Sequence, residues 1–134
     1  MSLQFSTTLR NAMLDQLETT VGEGPVMKIR TGSAPSNCGT ADSGSVLASI
    51  TLPTNWMADA SSGSKSKAGT WSTTASGTGT AGHWRIYASD GTTCHAQGTC
   101  TATGGGGDLE LDNTSIATSQ TVTISTFSLT APGA

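Results

Sequence analysis

Residues 83–93, His83-Trp84-Arg85-Ile86-Tyr87-Ala88-Ser89-Asp90-Gly91-Thr92-Thr93, decide the fold. From His83 to Ser89 aromatic and branched residues alternate with polar ones, the period of a strand with two unlike faces. Alternation puts Trp84, Ile86 and Ala88 toward a core. It puts His83, Arg85 and Tyr87 on the other face, either a solvated face or a contact surface with a cation–π element. Asp90-Gly91 signals a hairpin, because both residues tolerate positive φ. Thr92 to Thr103 then reads as the return strand.

Outward from this hairpin the same pattern recurs. Strands are expected at Val26–Arg30, Ser45–Leu52, Lys67–Ala75, Asp108–Asp112 and Gln120–Thr130, the last with a bulge near Ser125. Loops rich in Gly, Ser, Asn and Pro separate them at Thr31–Ser45 and Ser61–Lys67, the latter a polar tip carrying two lysines. Phe5, Leu9, Met13, Leu17 and Val21 recur at i+4, so residues 5–21 read as a helix that Gly22 stops. That helix either packs on its own sheet or serves as an arm docking on a neighbouring subunit. The whole reads as a single domain over 1–134, mainly β, with a β-sandwich or jelly-roll-like part over 25–131. It has about seven strands after one N-terminal α-helix.

Composition narrows the function. Thr, Ser and Gly supply 59 of the 134 residues, whereas Leu, Ile, Val and Phe supply only 20. Such a core is thin, and the domain would gain from neighbours that bury more surface. The net charge of -3, with 11% charged residues, offers no basic excess for nucleic acid. No apolar run is long enough to span a membrane, and Met1-Ser2-Leu3-Gln4-Phe5 does not read as a secretory signal.

Chemistry-bearing motifs are sparse. Cys38, Cys94 and Cys100 are an odd set in a chain read as cytosolic, which favours reduced thiols. The alternative is a Cys38–Cys94 bridge, should the 31–45 loop lie on the hairpin. Cys94 and His95 are adjacent on a strand and point to opposite faces, so they make neither a metal pair nor a nucleophile–base pair. Gly104–Gly107 lacks the Lys and Ser/Thr of a phosphate loop. Asp108, Glu110 and Asp112 alternate on one strand, as charged residues do on a guarded sheet edge. No acids oppose them, so no catalytic residue, metal or cofactor is expected. Trp56, Trp71 and Trp84 are core anchors by default, and an exposed one, such as Trp56 beside Asn55 and Asp59, would indicate a sugar platform.

Several stretches resemble small uncharacterised virion proteins of tailed phages and prophages. They are Leu9-Arg10-Asn11-Ala12-Met13-Leu14-Asp15, Ile29-Arg30-Thr31-Gly32-Ser33-Ala34-Pro35 and Gly82-His83-Trp84-Arg85-Ile86-Tyr87. Asp90-Gly91-Thr92-Thr93-Cys94-His95 and Gly104-Gly105-Gly106-Gly107-Asp108-Leu109 continue the likeness. The resemblance implies a non-enzymatic capsid decoration or cement protein, made in the host bacterial cytoplasm and residing in the virion. It would be a homo-oligomer binding the major capsid protein or other virion proteins, with a tail, collar or fibre role as the alternative. The expected contact residues are Phe5, Leu9, Met13, His83, Arg85 and Tyr87.

Overall fold

The computed structural model describes residues 3–134. They form one helix, α1 (Thr7–Val21), followed by ten strands. The first five are β1 (Val26–Thr31), β2 (Val46–Thr51), β3 (Ser64–Ser66), β4 (Trp71–Thr74) and β5 (Gly79–Tyr87). They are followed by β6 (Cys94–Ala102), β7 (Leu109–Leu111), β8 (Ser115–Ile116), β9 (Thr121–Ile124) and β10 (Ser128–Thr130). The protein is therefore mainly β. Its large sheet runs β2-β1-β5-β6-β7, with β8 on the first residues of β5, and two small ladders, β10-β3 and β4-β9, complete it.

Each of the seven expected strands overlaps an observed one, but β5 begins four residues before His83, where its first residues pair with the unexpected β8. The Asp90-Gly91 turn is wider than a two-residue hairpin. Only Gly91 takes positive φ, at 72°, and the Asp90 carboxylate accepts from the amides of Thr92 and Thr93. The return strand accordingly starts at Cys94. The segment expected to bulge near Ser125 breaks instead. Its first half pairs with β4 and its second half with β3, so the chain changes ladders at 125–127. The lysine tip at 61–67 is not a free loop, because it carries β3, with Lys65 buried.

Three indoles and one phenyl ring compensate for the few aliphatic residues. Trp56, Trp71, Trp84 and Phe127 are all buried. Trp71 stacks obliquely on Trp56 at 6.1 Å and on Phe127 at 5.4 Å, and Trp84 meets Phe127 edge-on at 5.2 Å. Such ring pairs add about 0.5–1.5 kcal/mol beyond area burial. Each indole N–H is satisfied by a carbonyl, Gly22 for Trp56, Ala68 for Trp71 and Thr99 for Trp84.

β6 and β7 run parallel although only residues 103–108 connect them. Parallel neighbours usually need a dozen or more connecting residues. The four glycines make the short return feasible. Gly104 and Gly106 hold φ of 88° and 80°, while a Cβ on Gly105 or Gly107 would lie 2.7–2.8 Å from the Thr101 side chain. Glycine alone tolerates both demands.

Candidate functional site

The helix docks by a face that apolar spacing does not reveal. Arg10, Leu14 and Val21 are its buried residues, with Leu17 partly buried, whereas Leu9 and Met13 remain 47% and 38% exposed. Of the expected stripe Phe5, Leu9, Met13, Leu17 and Val21, the last two thus face the core, whereas Leu9 and Met13 turn away from it. Polar residues set that rotation. Arg10 donates to Ala131 O, Asn11 accepts from the Gly63 amide, and Asp15 accepts from the Ala60 amide. Glu18 accepts from the Met57 amide. At the centre, Lys65 Nζ lies 2.7 Å from Asp15 and 3.2 Å from Glu18. Burial works against the Lys65 charge, but these two carboxylates outweigh it and hold the ammonium's pKa above the ordinary value. Phe5 is half-buried, its amide on Gly133 O and its ring against Gly133.

The second built cluster lies on β5. His83, Arg85 and Tyr87 do share a face, as alternation requires, but all three are buried, so they are not an exposed contact surface. The 31–45 loop folds over them. Arg85 commits every polar atom of its guanidinium to that cover or to β6. Nε donates to Gln97 Oε1 at 3.1 Å, Nη1 to Asp42, and Nη2 to the carbonyls of Asn37, Cys38 and Thr40, each at 3.1 Å. Tyr87 donates to Asp42 at 2.6 Å, and Arg30 pairs with Asp42 at 3.1 Å. Burial would raise the Asp42 pKa, but Tyr87, Arg85 and Arg30 together hold it below the ordinary carboxylate value. The expected cation–π element exists internally, with the Arg85 guanidinium 6.0 Å from the Tyr87 ring. Lys28 approaches the same ring to 4.8 Å.

His83 Nδ1 lies 2.9 Å from Gly32 O, which can only accept, so the proton sits on Nδ1. Its Nε2 is buried without a partner, as is Arg30 Nε. Cys38 and Cys94 meet at the edge of the cluster as unbridged thiols. Burial, reinforced by the neighbouring Cys38 thiol, pushes Cys94 up to about 11. Cys100 is buried apart from them, as the sequence implied for the leftover thiol.

The cluster is a clamp. Each nitrogen of its cation already bonds a group of the same chain, and its single carboxylate bonds three side chains of that chain. Asp108 and Glu110 instead brace the glycine return: Asp108 accepts from the Thr99 amide and Glu110 from the Gly106 amide. Trp56 floors a groove of about 390 Å³ beside Asn55 and Glu18 but is only 1% exposed. It offers no exposed ring for a sugar to stack on. Among the described residues no three His, Cys, Asp or Glu side chains converge as metal ligands. No described helix is long and apolar enough to cross a membrane. No protein-family model, no curated protein and no solved structure matches this chain.

Proposed function

We propose that the chain is a non-enzymatic virion structural protein of a tailed phage, a capsid decoration or cement protein that binds the major capsid protein as a homo-oligomer. The observation that carries this reading is the outward pair Leu9 and Met13, on a helix whose inner side is fastened by ion pairs and hydrogen bonds. An apolar pair on a braced support can take load from a neighbouring subunit without disturbing the core. Repetition over many lattice sites makes weak individual contacts sufficient. The sequence resemblance to phage virion proteins supplies the setting. The finer architecture belongs to the same proposal: the β4-β9 and β10-β3 ladders form the second layer of a sandwich. The contact of Trp84, on the large sheet, with Phe127, between β9 and β10, supports that layering.

The test is immunogold labelling of intact particles with an antibody to this chain. Gold over the heads is the expected result. Gold confined to the tail would replace the proposal with a tail or collar role. The double variant Leu9→Ser/Met13→Ser should remain folded and lose binding to heads. Retained binding by that variant would remove the helix from the contact.

A further inference from the structure

Two bare strand edges face one groove. β7 pairs with β6 only over Cys100–Ala102, so among the described residues the outer edge of β6 is uncovered before that point. Main-chain groups alternate in direction along an antiparallel strand. The Thr99 amide turns outward to Asp108 at 3.0 Å. Two residues earlier, the Gln97 N–H and C=O therefore point the same way. On β10, Phe127 O accepts from the Lys67 amide and the Ala131 amide donates to Gly63 O, which directs odd-numbered positions to β3. Ser128 and Thr130 consequently turn their main-chain groups away from β3. Both edges border a groove of about 570 Å³ lined by Ala96, Gln97, Asp108, Ser128, Leu129 and Thr130, with Trp84 in its wall.

We propose that this groove is a strand-addition site for an extended segment of another polypeptide. The segment would bond to Gln97 on one side and to Ser128 and Thr130 on the other. It would continue the row that β7 begins beside β6 and join the large sheet to the β10-β3 ladder. Side chains toward the interior meet Trp84, Ala96 and Leu129, so alternate residues of the occupant are apolar. Asp108 lies at one end, Glu110 lines the adjoining hollow, and no Lys or Arg lines either. Charge complementarity calls for a Lys or Arg at that end. The described N-terminal segment does not fill the groove, because the Phe5 amide is tied to Gly133 O. This inference does not rest on the phage reading.

The experiment is an NMR titration of the ¹⁵N-labelled full chain with two synthetic peptides, Lys-Thr-Val-Thr-Val-Thr and Thr-Val-Thr-Val-Thr-Lys. At least one should perturb the amides of Gln97, Ser128 and Thr130 and slow their hydrogen exchange. Thr130→Pro removes an outward N–H without touching the β3 bonds, and should weaken binding about tenfold. Asp108→Asn keeps an acceptor for Thr99 and should weaken binding and its salt dependence. Perturbation elsewhere, no perturbation at millimolar peptide, or unchanged affinity in Thr130→Pro would overturn the proposal. So would self-association of the free chain through the same amides, since a second copy would then fill the groove.

Discussion

Of the four buried cations among the described residues, Lys65, under the helix, and Arg85, under the 31–45 loop, are the most deeply enclosed, and the elements that cover them differ. The helix satisfies its own main chain, so it needs only to be held in place. A point charge facing Asp15 and Glu18 does this, helped by the amides of Ala60, Met57 and Gly63. The loop has few internal bonds and carries carbonyls that burial would leave unpaired. A planar fork serves there, because the Arg85 guanidinium takes three loop carbonyls and the Asp42 carboxylate at once. An ammonium cannot reproduce that geometry. Each cation thus matches what its covering segment lacks: a single point of attachment for the helix, several donors for the loop.

The largest expected effect breaks the loop side. Arg85→Met should cost about 3–5 kcal/mol, because it leaves the carbonyls of Cys38 and Thr40 without a donor and removes one of the two cations that face Asp42. Urea denaturation should report the loss, and hydrogen exchange should rise first at residues 36–42. Arg85→Lys should recover little of it.

The next effect reinforces the same side. Oxidised glutathione should convert Cys38 and Cys94 to an intramolecular disulfide, with two glutathione thiols released. The bridge should stabilise the fold by about 2–4 kcal/mol. Mass spectrometry after alkylation should leave Cys100 as the only modified thiol. A mixed disulfide persisting on Cys38 would show that the two thiols cannot close.

On the helix side, Lys65→Met should cost less, about 1–2 kcal/mol, because its two carboxylate partners can rehydrate and the methionine retains the packed stem. The two clamps should also separate by pH. Asp42 and Asp15 are held below their ordinary pKa values, so their contribution is present above about pH 4 and is lost as the pH falls further. Lys65 is held above its ordinary value, so its contribution is complete below about pH 10 and is lost as the pH rises through the folded-state value. Tyr87, held neutral by burial and by Asp42, adds to the alkaline loss. Denaturation midpoints across pH should show Asp42→Asn flattening the acid arm and Lys65→Met flattening the alkaline arm. The smallest effect is on the outer side of the helix. Leu9→Ser and Met13→Ser should change stability by less than about 0.5 kcal/mol each.

The β-rich character, the single helix and the seven principal strands were legible in the residues themselves. Period-2 alternation around Trp84 and Ile86, and the stops at Gly22 and Pro25, are local signals that survive any packing. The shared face of His83, Arg85 and Tyr87 was legible for the same reason. Their burial was not. Alternation assigns sides but does not say what lies over each side, and a central strand covered on both faces reads like one half exposed. Apolar spacing misses the inward face of the first helical turns, because the bonds of Arg10, Asn11, Asp15 and Glu18 turn that face to the core. Lys65 likewise reads as solvent-facing until two carboxylates far away in sequence, Asp15 and Glu18, lie beside it.

By itself, the sequence determined the helix and the longer strands, because backbone preference and hydrophobic period act over a few residues; short strands such as β3 and β8 have too few residues to show a period. It also determined a chain poor in aliphatic side chains, with three indoles to anchor its core. Only the tertiary structure decided where Arg85 and Lys65 reside, which strand edges stay bare and that Cys38 meets Cys94. Each of those depends on groups dozens of residues apart. Burying a charge is favourable only when all its partners are assembled together, and no short window of sequence contains them.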